Sequence, residues 1–270
     1  MEPQSMFRTL IRHYGDIQLS SMLEAATKVE STRDVATKLQ GEQMKLWERR
    51  GVTSKQLFKT LKLNIFDDGV TNLLASPSMN TWIKYADKVD PGPRTTLFDK
   101  LRNAYSDDTM LSKLLTTGMK DPNTEKLANE LQAKQVNRWL DDLQPPENVF
   151  KFFSLDKGAD GLLANPQLRT WVTYSDRYKA NNEFTTKLSL TEVLTKHYKD
   201  KDLVIMIRSA KSKREFEYGQ SIQDALLDKW AKARKPVGEV LEALGVTRTQ
   251  AQSNGVMEAY NKKFLALNPK

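Results

Sequence analysis

The chain of 270 residues has no cysteine and only two histidines. Without cysteine there are no disulfides, thiol nucleophiles, Cys-ligated zinc, iron-sulfur or thiolate-bound haem sites, and a chain this long needs no disulfide staples to fold. The longest wholly apolar run is Leu203-Val204-Ile205-Met206-Ile207, far short of the roughly 20 residues that span a bilayer. The first residues, MEPQSMFRTL, show neither a basic leader nor an apolar signal core. Also missing are a GxSxG elbow, a GxxxxGK[ST] phosphate loop, GxGxxG and HExxH. The chain therefore reads as a non-enzyme, with no cofactor, no metal site and no membrane span.

Charge is not balanced. Forty-two Lys and Arg against 34 Asp and Glu give a net charge of +8, which favours solubility and attraction to acidic surfaces. The stretch 187–235 holds 12 basic and 7 acidic side chains, with clusters at Lys211, Lys213, Arg214 and at Lys232, Arg234, Lys235. A nucleic-acid binder would interleave such a patch with exposed aromatics or present a recognisable module. Neither stands in the sequence, and a solvated helix face is the simpler account.

What the sequence does hold is self-similarity. LLASPSMNTWIKYAD at 73–87 returns as LLANPQLRTWVTYSD at 162–176, 89 residues on. Leu10/Tyr14, Leu101/Tyr105 and Leu194/Tyr198 each open an apolar stripe, at spacings of 91 and 93. LQGEQMKLW (39–47), LQAKQVNRW (131–139) and IQDALLDKW (222–230) end on Trp47, Trp139 and Trp230, spaced 92 and 91. A short apolar segment follows at 56–63, 148–155 and 239–246, leading to Trp82-x-x-Tyr85, Trp171-x-x-Tyr174 and Met257-x-x-Tyr260. A period of about 90 residues thus runs through the whole chain.

Each element reads as helix, because its large apolar residues recur at three and four rather than two. Met79, Trp82 and Ala86 share a face, as do Leu168, Trp171 and Ser175. Ser76-Pro77, Asn165-Pro166 and Asp121-Pro122 each offer a capping oxygen followed by Pro at the first helical position. Thr53-x-x-Gln56, Ser189-x-x-Glu192 and Thr247-x-x-Gln250 have capping-box spacing. Joints fall at 90–96, 117–123, 141–147 and 179–186. The expected fold is all-α: tandem helical repeats of about 90 residues in an elongated superhelical array. Repeat-length segments are 1–94, 95–187 and 188–270. The residues recurring at repeat positions are the expected core: Tyr14, Leu39, Trp47, Trp82, Tyr85, Tyr105, Leu131, Trp139, Trp171, Tyr174, Tyr198, Ile222, Trp230, Met257 and Tyr260.

Chemistry is sparse. His13 and His197 each precede a repeat Tyr and stand 184 residues apart, so they read as structural or surface groups rather than ligands. The acid pairs Asp67-Asp68, Asp107-Asp108 and Asp141-Asp142 sit near helix ends or joints, where carboxylates have an ordinary electrostatic use. An aromatic followed three residues later by Leu recurs along the chain as helical spacing, and only Phe264-Leu-Ala-Leu267 is placed for exposure.

TWxxY at 81–85 and 170–174, HY plus stripe at 13–26 and 197–210, and LQxxQxxxW at 39–47 and 131–139 together resemble the W, Y and L motifs of tandem LWY modules. Such modules form the secreted RXLR-type effectors of Phytophthora and related oomycetes. In family phase the modules run approximately 30–120 and 121–212, with a degenerate terminal unit at 213–270 whose W position is Met257. The chain opens on a Y-motif half-unit around residues 8–27, which resembles a piece of a longer array. No Arg-x-Leu-Arg segment precedes the repeats: either a leader has been removed or the protein is unusual. The resemblance implies a virulence scaffold, secreted by the pathogen and translocated into the host cell, acting in its cytoplasm or nucleus. There it would bind host plant proteins and suppress immunity, with the scaffold (A) subunit of protein phosphatase 2A as one partner. The alternative is a basic helical protein binding nucleic acid or a nuclear factor. The partner-binding residues should lie among positions that differ between copies, such as Asn80 against Arg169, Lys84 against Thr173 and Val89 against Tyr178, while Lys88 keeps its charge as Arg177.

Overall fold

The computed structural model describes residues 3–65, 72–92, 96–181 and 189–268. Asp67-Asp68, Lys187 and parts of the joints 90–96 and 179–186 lie outside them. The described residues are helical with no strand, and the chain divides into two compact units, Met1–Arg138 and Trp139–Lys270.

The first unit holds α1 (Pro3–Thr27), α2 (Arg33–Arg49), α3 (Ser54–Thr60), α4 (Pro77–Val89), α5 (Leu97–Tyr105), α6 (Asp108–Gly118) and most of α7 (Glu125–Asp141). The second holds α8 (Pro146–Phe152), α9 (Pro166–Ala180), α10 (Leu190–His197), α11 (Asp200–Ser209), α12 (Lys213–Lys232), α13 (Val237–Leu244), α14 (Arg248–Ser253) and α15 (Val256–Leu267). Helices of six to ten residues are marginal alone, so the starts need help. Thr53, Ser189 and Thr247 form the capping boxes their spacing requires. Thr96 and Asp99 form another, which the sequence reading passed over. Ser76 and Asn165 accept N–H bonds from Met79 and Gln167 ahead of a Pro.

Asp121-Pro122 is different from expectation. The Asp121 carboxylate accepts the Asn123 N–H and the Asn72 amide, each at 2.9 Å, and the Thr124 hydroxyl donates to the Gly118 carbonyl at 2.7 Å. These bonds hold 121–124 as a turn, and α7 starts only at Glu125.

The two cores repeat one aromatic arrangement. In the first unit Phe58 meets the edge of Trp82 at 5.0 Å, and Trp47 that of Tyr85 at 5.3 Å. In the second, Phe150 meets Trp171 at 5.3 Å and Trp139 meets Tyr174 at 6.4 Å. Edge-on aromatic pairs contribute about 0.5–1.5 kcal/mol each beyond area burial. A polar pair accompanies the core of the first unit. Gln43 is fully buried, receives the Ser20 hydroxyl at 3.3 Å and donates to the Asp16 carbonyl at 3.3 Å. Gln135 repeats this with Ser112 at 3.3 Å and the Asp108 carbonyl at 3.4 Å. In the third copy the matching residues are Val204 and Leu226, both buried. Replacing both partners by apolar groups leaves no orphan polar atom behind.

Candidate interaction surface

The repeated aromatics are occupied internally. The indole N–H of Trp82 donates to the Ser54 carbonyl at 2.9 Å, and that of Trp171 to the Pro146 carbonyl at 2.7 Å. Tyr85 donates to the Val52 carbonyl at 2.6 Å, Tyr174 to that of Gln144 at 2.5 Å, and Tyr260 to that of Lys235. Tyr105 reaches the Leu63 carbonyl at 2.8 Å, and Tyr198 bonds the carbonyls of Leu155 and Gly158. Burial raises the Tyr85, Tyr105, Tyr174, Tyr198 and Tyr260 hydroxyls above the ordinary tyrosine range, so none is poised for proton transfer. Leu39, Trp47, Leu131, Trp139, Ile222 and Trp230 are likewise buried, whereas Tyr105, Tyr198 and Met257 are half-buried.

Tyr14 departs from the expected core: it is 36% exposed. Its counterparts Tyr105 and Tyr198 instead bond carbonyls 42 and 43 residues upstream. The Tyr14 ring meets that of His13 edge-on at 4.7 Å.

One recurring group went unread. Asp16 and Asp200 accept the indole N–H of Trp47 and Trp230, each at 2.8 Å. With Asp108 they recur every 92 residues, so the signal was present in the spacing. Gly15 makes the first of these possible. It breaks α1 with φ 69 and ψ 179, a backbone region open essentially to glycine alone, and Asp16 begins the helical run again. The indole N–H of Trp139 is buried without a hydrogen-bond partner among the described residues.

Among the described residues, the histidines and the acid pairs Asp107-Asp108 and Asp141-Asp142 form no cluster of three or more potential metal ligands. His13 is exposed beside Tyr14, while His197 stacks on Phe150 at 5.2 Å with Nε2 3.9 Å from Glu147 Oε1. Asp107 caps α6 through the Thr109 N–H. No group of three or more potential metal ligands occurs among the described residues, and no described helix is long and apolar enough to cross a membrane.

Several positions that vary between copies are also committed internally. Lys84 bonds Glu24 at 2.8 Å and Lys88 bonds Glu48 at 2.7 Å, tying α4 to α1 and α2. Burial pushes the Glu24 carboxyl up, but Lys84 and Gln40 outweigh it and hold it below the ordinary glutamate value. Val89 packs against the first core, and Tyr178 lies 6.1 Å from Tyr174. The second basic cluster is spent too: Arg234 bonds Asn268 at 2.7 Å and Lys235 lies over the Trp230 ring at 5.2 Å. Phe264 is half-buried near Tyr260 while Leu267 is 41% exposed, so the terminal Phe-Leu pair is only partly accessible.

Exposed cations cluster in both units: Arg8, Arg12, Arg49 and Arg50 line a cleft of about 640 Å³ in the first, and a second group lies in the second unit. Arg169 of α9 and Lys213 and Arg214 of α12 line one cleft of about 330 Å³ together with Pro166, Ser212 and Tyr218. Phe216, on the same turn of α12, is 53% exposed. The one carboxylate in this cleft, Glu215, is engaged by the Ser212 hydroxyl at 2.7 Å and the Lys211 N–H at 2.8 Å, which hold it below the ordinary value.

A chain of repeated helical segments whose recurrent aromatics direct most of their polar atoms to partners within the fold is a tandem helical-repeat protein in its build. Comparison with known proteins places it more closely. The profile of the family described as "Effector PexRD54, WY-domain" matches residues 134–175. The chain is 31% identical over 275 aligned residues to the RxLR effector protein PSR2 of Phytophthora sojae, covering 98% of this chain and 40% of that protein. It is 31% identical to the secreted RxLR effector protein RXLR-C08 of Plasmopara halstedii, covering 83% of this chain and 43% of that one. The crystal structure of PcRxLR12 superposes with a TM-score of 0.54 at 27% identity, over 97% of this chain and 63% of that chain. The chain belongs to the WY-domain RxLR effectors. It spans about two fifths of the length of these curated relatives.

Proposed function

We propose that the chain is a non-enzymatic binding scaffold of a virulence effector, secreted by the pathogen and carried into the plant cell. There it holds host proteins and suppresses immunity, in the cytoplasm or nucleus. The observation that carries this reading is the division of labour between residues. The aromatics shared by the copies direct their polar atoms into the fold, whereas Arg169, Lys213, Arg214 and Phe216 belong to one copy each and face solvent. Shared residues build modules, phased at about 30–120, 121–212 and 213–270, and unshared ones choose the partner. The scaffold subunit of protein phosphatase 2A is the partner to test first.

The test is capture of that purified subunit, and of proteins from plant extract, on the immobilised chain. A control chain has its exposed, unshared residues replaced and unchanged circular dichroism. Retention by the first and not by the second supports the scaffold. Retention of no specific protein by either sinks it. The basic start of α12 favours a second reading, nucleic-acid binding, which requires an affinity that falls steeply with salt and depends on Lys211, Lys213 and Arg214.

A further inference from the structure

The three helices that end two residues beyond a repeat Trp are not alike. α2 and α7 are 17 residues long, whereas α12 has 20 and gains its extra turn at the N-terminal end. The residues of that turn are Lys213, Arg214 and Glu215; the matching places in the second copy are Pro122, Asn123 and Thr124, which form the turn before α7. Across from it, α9 carries Arg169 where the first copy has Asn80. Two separate departures from the repeat, in elements more than 40 residues apart, therefore supply cations to the same cleft.

Those cations are uncommitted. Arg169, Lys213 and Arg214 are exposed and make no ion pair among the described residues, unlike Lys84, Lys88 and Lys100, which pair with Glu24, Glu48 and Asp87. Glu215, the one acid in the cleft, stays charged but is turned onto the Ser212 hydroxyl and the Lys211 N–H by helix-capping bonds, and the three cations outnumber it. Tyr218 lines this cleft and also a neighbouring one of about 280 Å³, where the half-buried Val172 and Leu190 provide apolar surface. A basic pocket and a partly apolar one thus share a wall.

We infer that the paired clefts are a docking site for a short acidic segment of a partner protein, carboxylates on Arg169, Lys213 and Arg214 and a following aliphatic residue beyond Tyr218 against Val172 and Leu190. This rests on the scaffold reading and gives its partner a chemistry. Charge complementarity selects the occupant: guanidinium and ammonium groups favour carboxylates, and the apolar half adds a requirement that charge alone does not impose. A nucleic-acid strand would need a cationic track several phosphates long with stacking aromatics, and the second cleft has the acid Asp176 on its lining.

The experiment is fluorescence anisotropy of the full chain with a fluorescein-labelled peptide of three glutamates followed by two leucines. A variant carrying Arg169→Gln, Lys213→Gln and Arg214→Gln, all at exposed positions, should bind it about 30-fold more weakly with unchanged circular dichroism. Replacing the two leucines of the peptide by serines should cost about tenfold. Lys262→Gln, an exposed change elsewhere, should leave binding alone. The proposal is overturned if the peptide does not bind, or if the triple variant stays within about twofold of the parent, a change too small for loss of a charged contact. It is equally overturned if the serine peptide binds as well, or if a single-stranded oligonucleotide of equal charge binds more tightly at the same residues. Running the capture assay with the triple variant separates the two ideas. A host protein still retained refutes the cleft and leaves the scaffold standing, whereas a host protein lost only by the triple variant supports both.

Discussion

Replacing Trp139 by Phe should be tolerated better than the same change at Trp230, although both indoles are buried in the second unit at matching repeat positions. Shrinking the ring costs both sites about 1–2 kcal/mol of packing. At Trp230 the indole N–H also donates to Asp200 Oδ2 at 2.8 Å, and a hydrogen bond to a charged group contributes about 1.5–3 kcal/mol. Asp200 is half-buried and keeps Lys229 at 2.6 Å, so water and the lysine take over part of the loss and the lower end, about 1.5 kcal/mol, applies. At Trp139 the N–H has no partner among the described residues, and phenylalanine removes an unsatisfied donor. Trp230→Phe should therefore be the less stable by about 1.5 kcal/mol, measured as urea unfolding of the second unit by circular dichroism with equal m-values. Acid supplies an internal control. Burial pushes Asp200 up, but Lys229 and Trp230 outweigh it and leave it below 3.8 in the folded chain. A lowered folded value means its contribution is present above the unfolded value and is lost as pH falls through the folded one. The gap between the variants should narrow there. Equal losses at both sites, or a larger loss at Trp139, would refute the reasoning.

Three further outcomes follow from the same geometry. Gly245 has φ +61, and the Arg208 guanidinium, bonded to the Leu244 carbonyl at 2.6 Å, occupies the space of a Cβ there; Gly245→Ala should cost about 1–3 kcal/mol in thermal or urea unfolding, while Gly238→Ala, with nothing within 4 Å, should cost nothing of the kind. Glu24 is held below its ordinary value, so the first unit should keep the stability it contributes above pH 4.5 and lose it as pH falls through the lowered folded value. Lys84→Met should shrink that acid dependence and cost about 1–2 kcal/mol, discounted because Lys84 is half-exposed. Thr96→Ala removes the side-chain half of the Thr96–Asp99 capping box and should cost about 1 kcal/mol.

The helices, their caps and the repeat were readable because each is a local property: a spacing of three and four, a Ser or Thr before a Gln or Glu, a Trp every 90 or so residues. Trp82 and Trp171 needed no more than that. Tyr14 carries the repeat letter without the repeat burial, which is set by segments distant in the chain: Tyr105 and Tyr198 bond carbonyls 42 and 43 residues upstream. Asp121-Pro122 has the letters of a helix start, yet Asn72 and Asn123 draw its carboxylate into a turn. The surface was the least legible part. Lys84 differs between copies as a partner-reading residue would, but Glu24, 60 positions earlier, engages it, and Lys88, whose charge is kept as Arg177, pairs with Glu48, 40 positions earlier. Arg169 meets Lys213 and Arg214 only through the packing of the second unit, and no local pattern announces that.

The exchange of Ser20/Gln43 and Ser112/Gln135 for Val204/Leu226 bears on how a chain of look-alike segments finds its proper partners. Copies this similar invite mispairing during folding, a hazard of repeat proteins. Were the third-copy helix carrying Leu226 to settle against a stripe bearing Ser20, the hydroxyl would keep its bond to the Asp16 carbonyl at 2.7 Å, whereas Gln43 against Val204 would strand its amide oxygen, which the Ser20 hydroxyl otherwise satisfies. That error carries a penalty of about 1–3 kcal/mol for the orphaned group. The buried amides thus work as a key that distinguishes the last repeat from the first two, written into the interior where no partner protein can reach it.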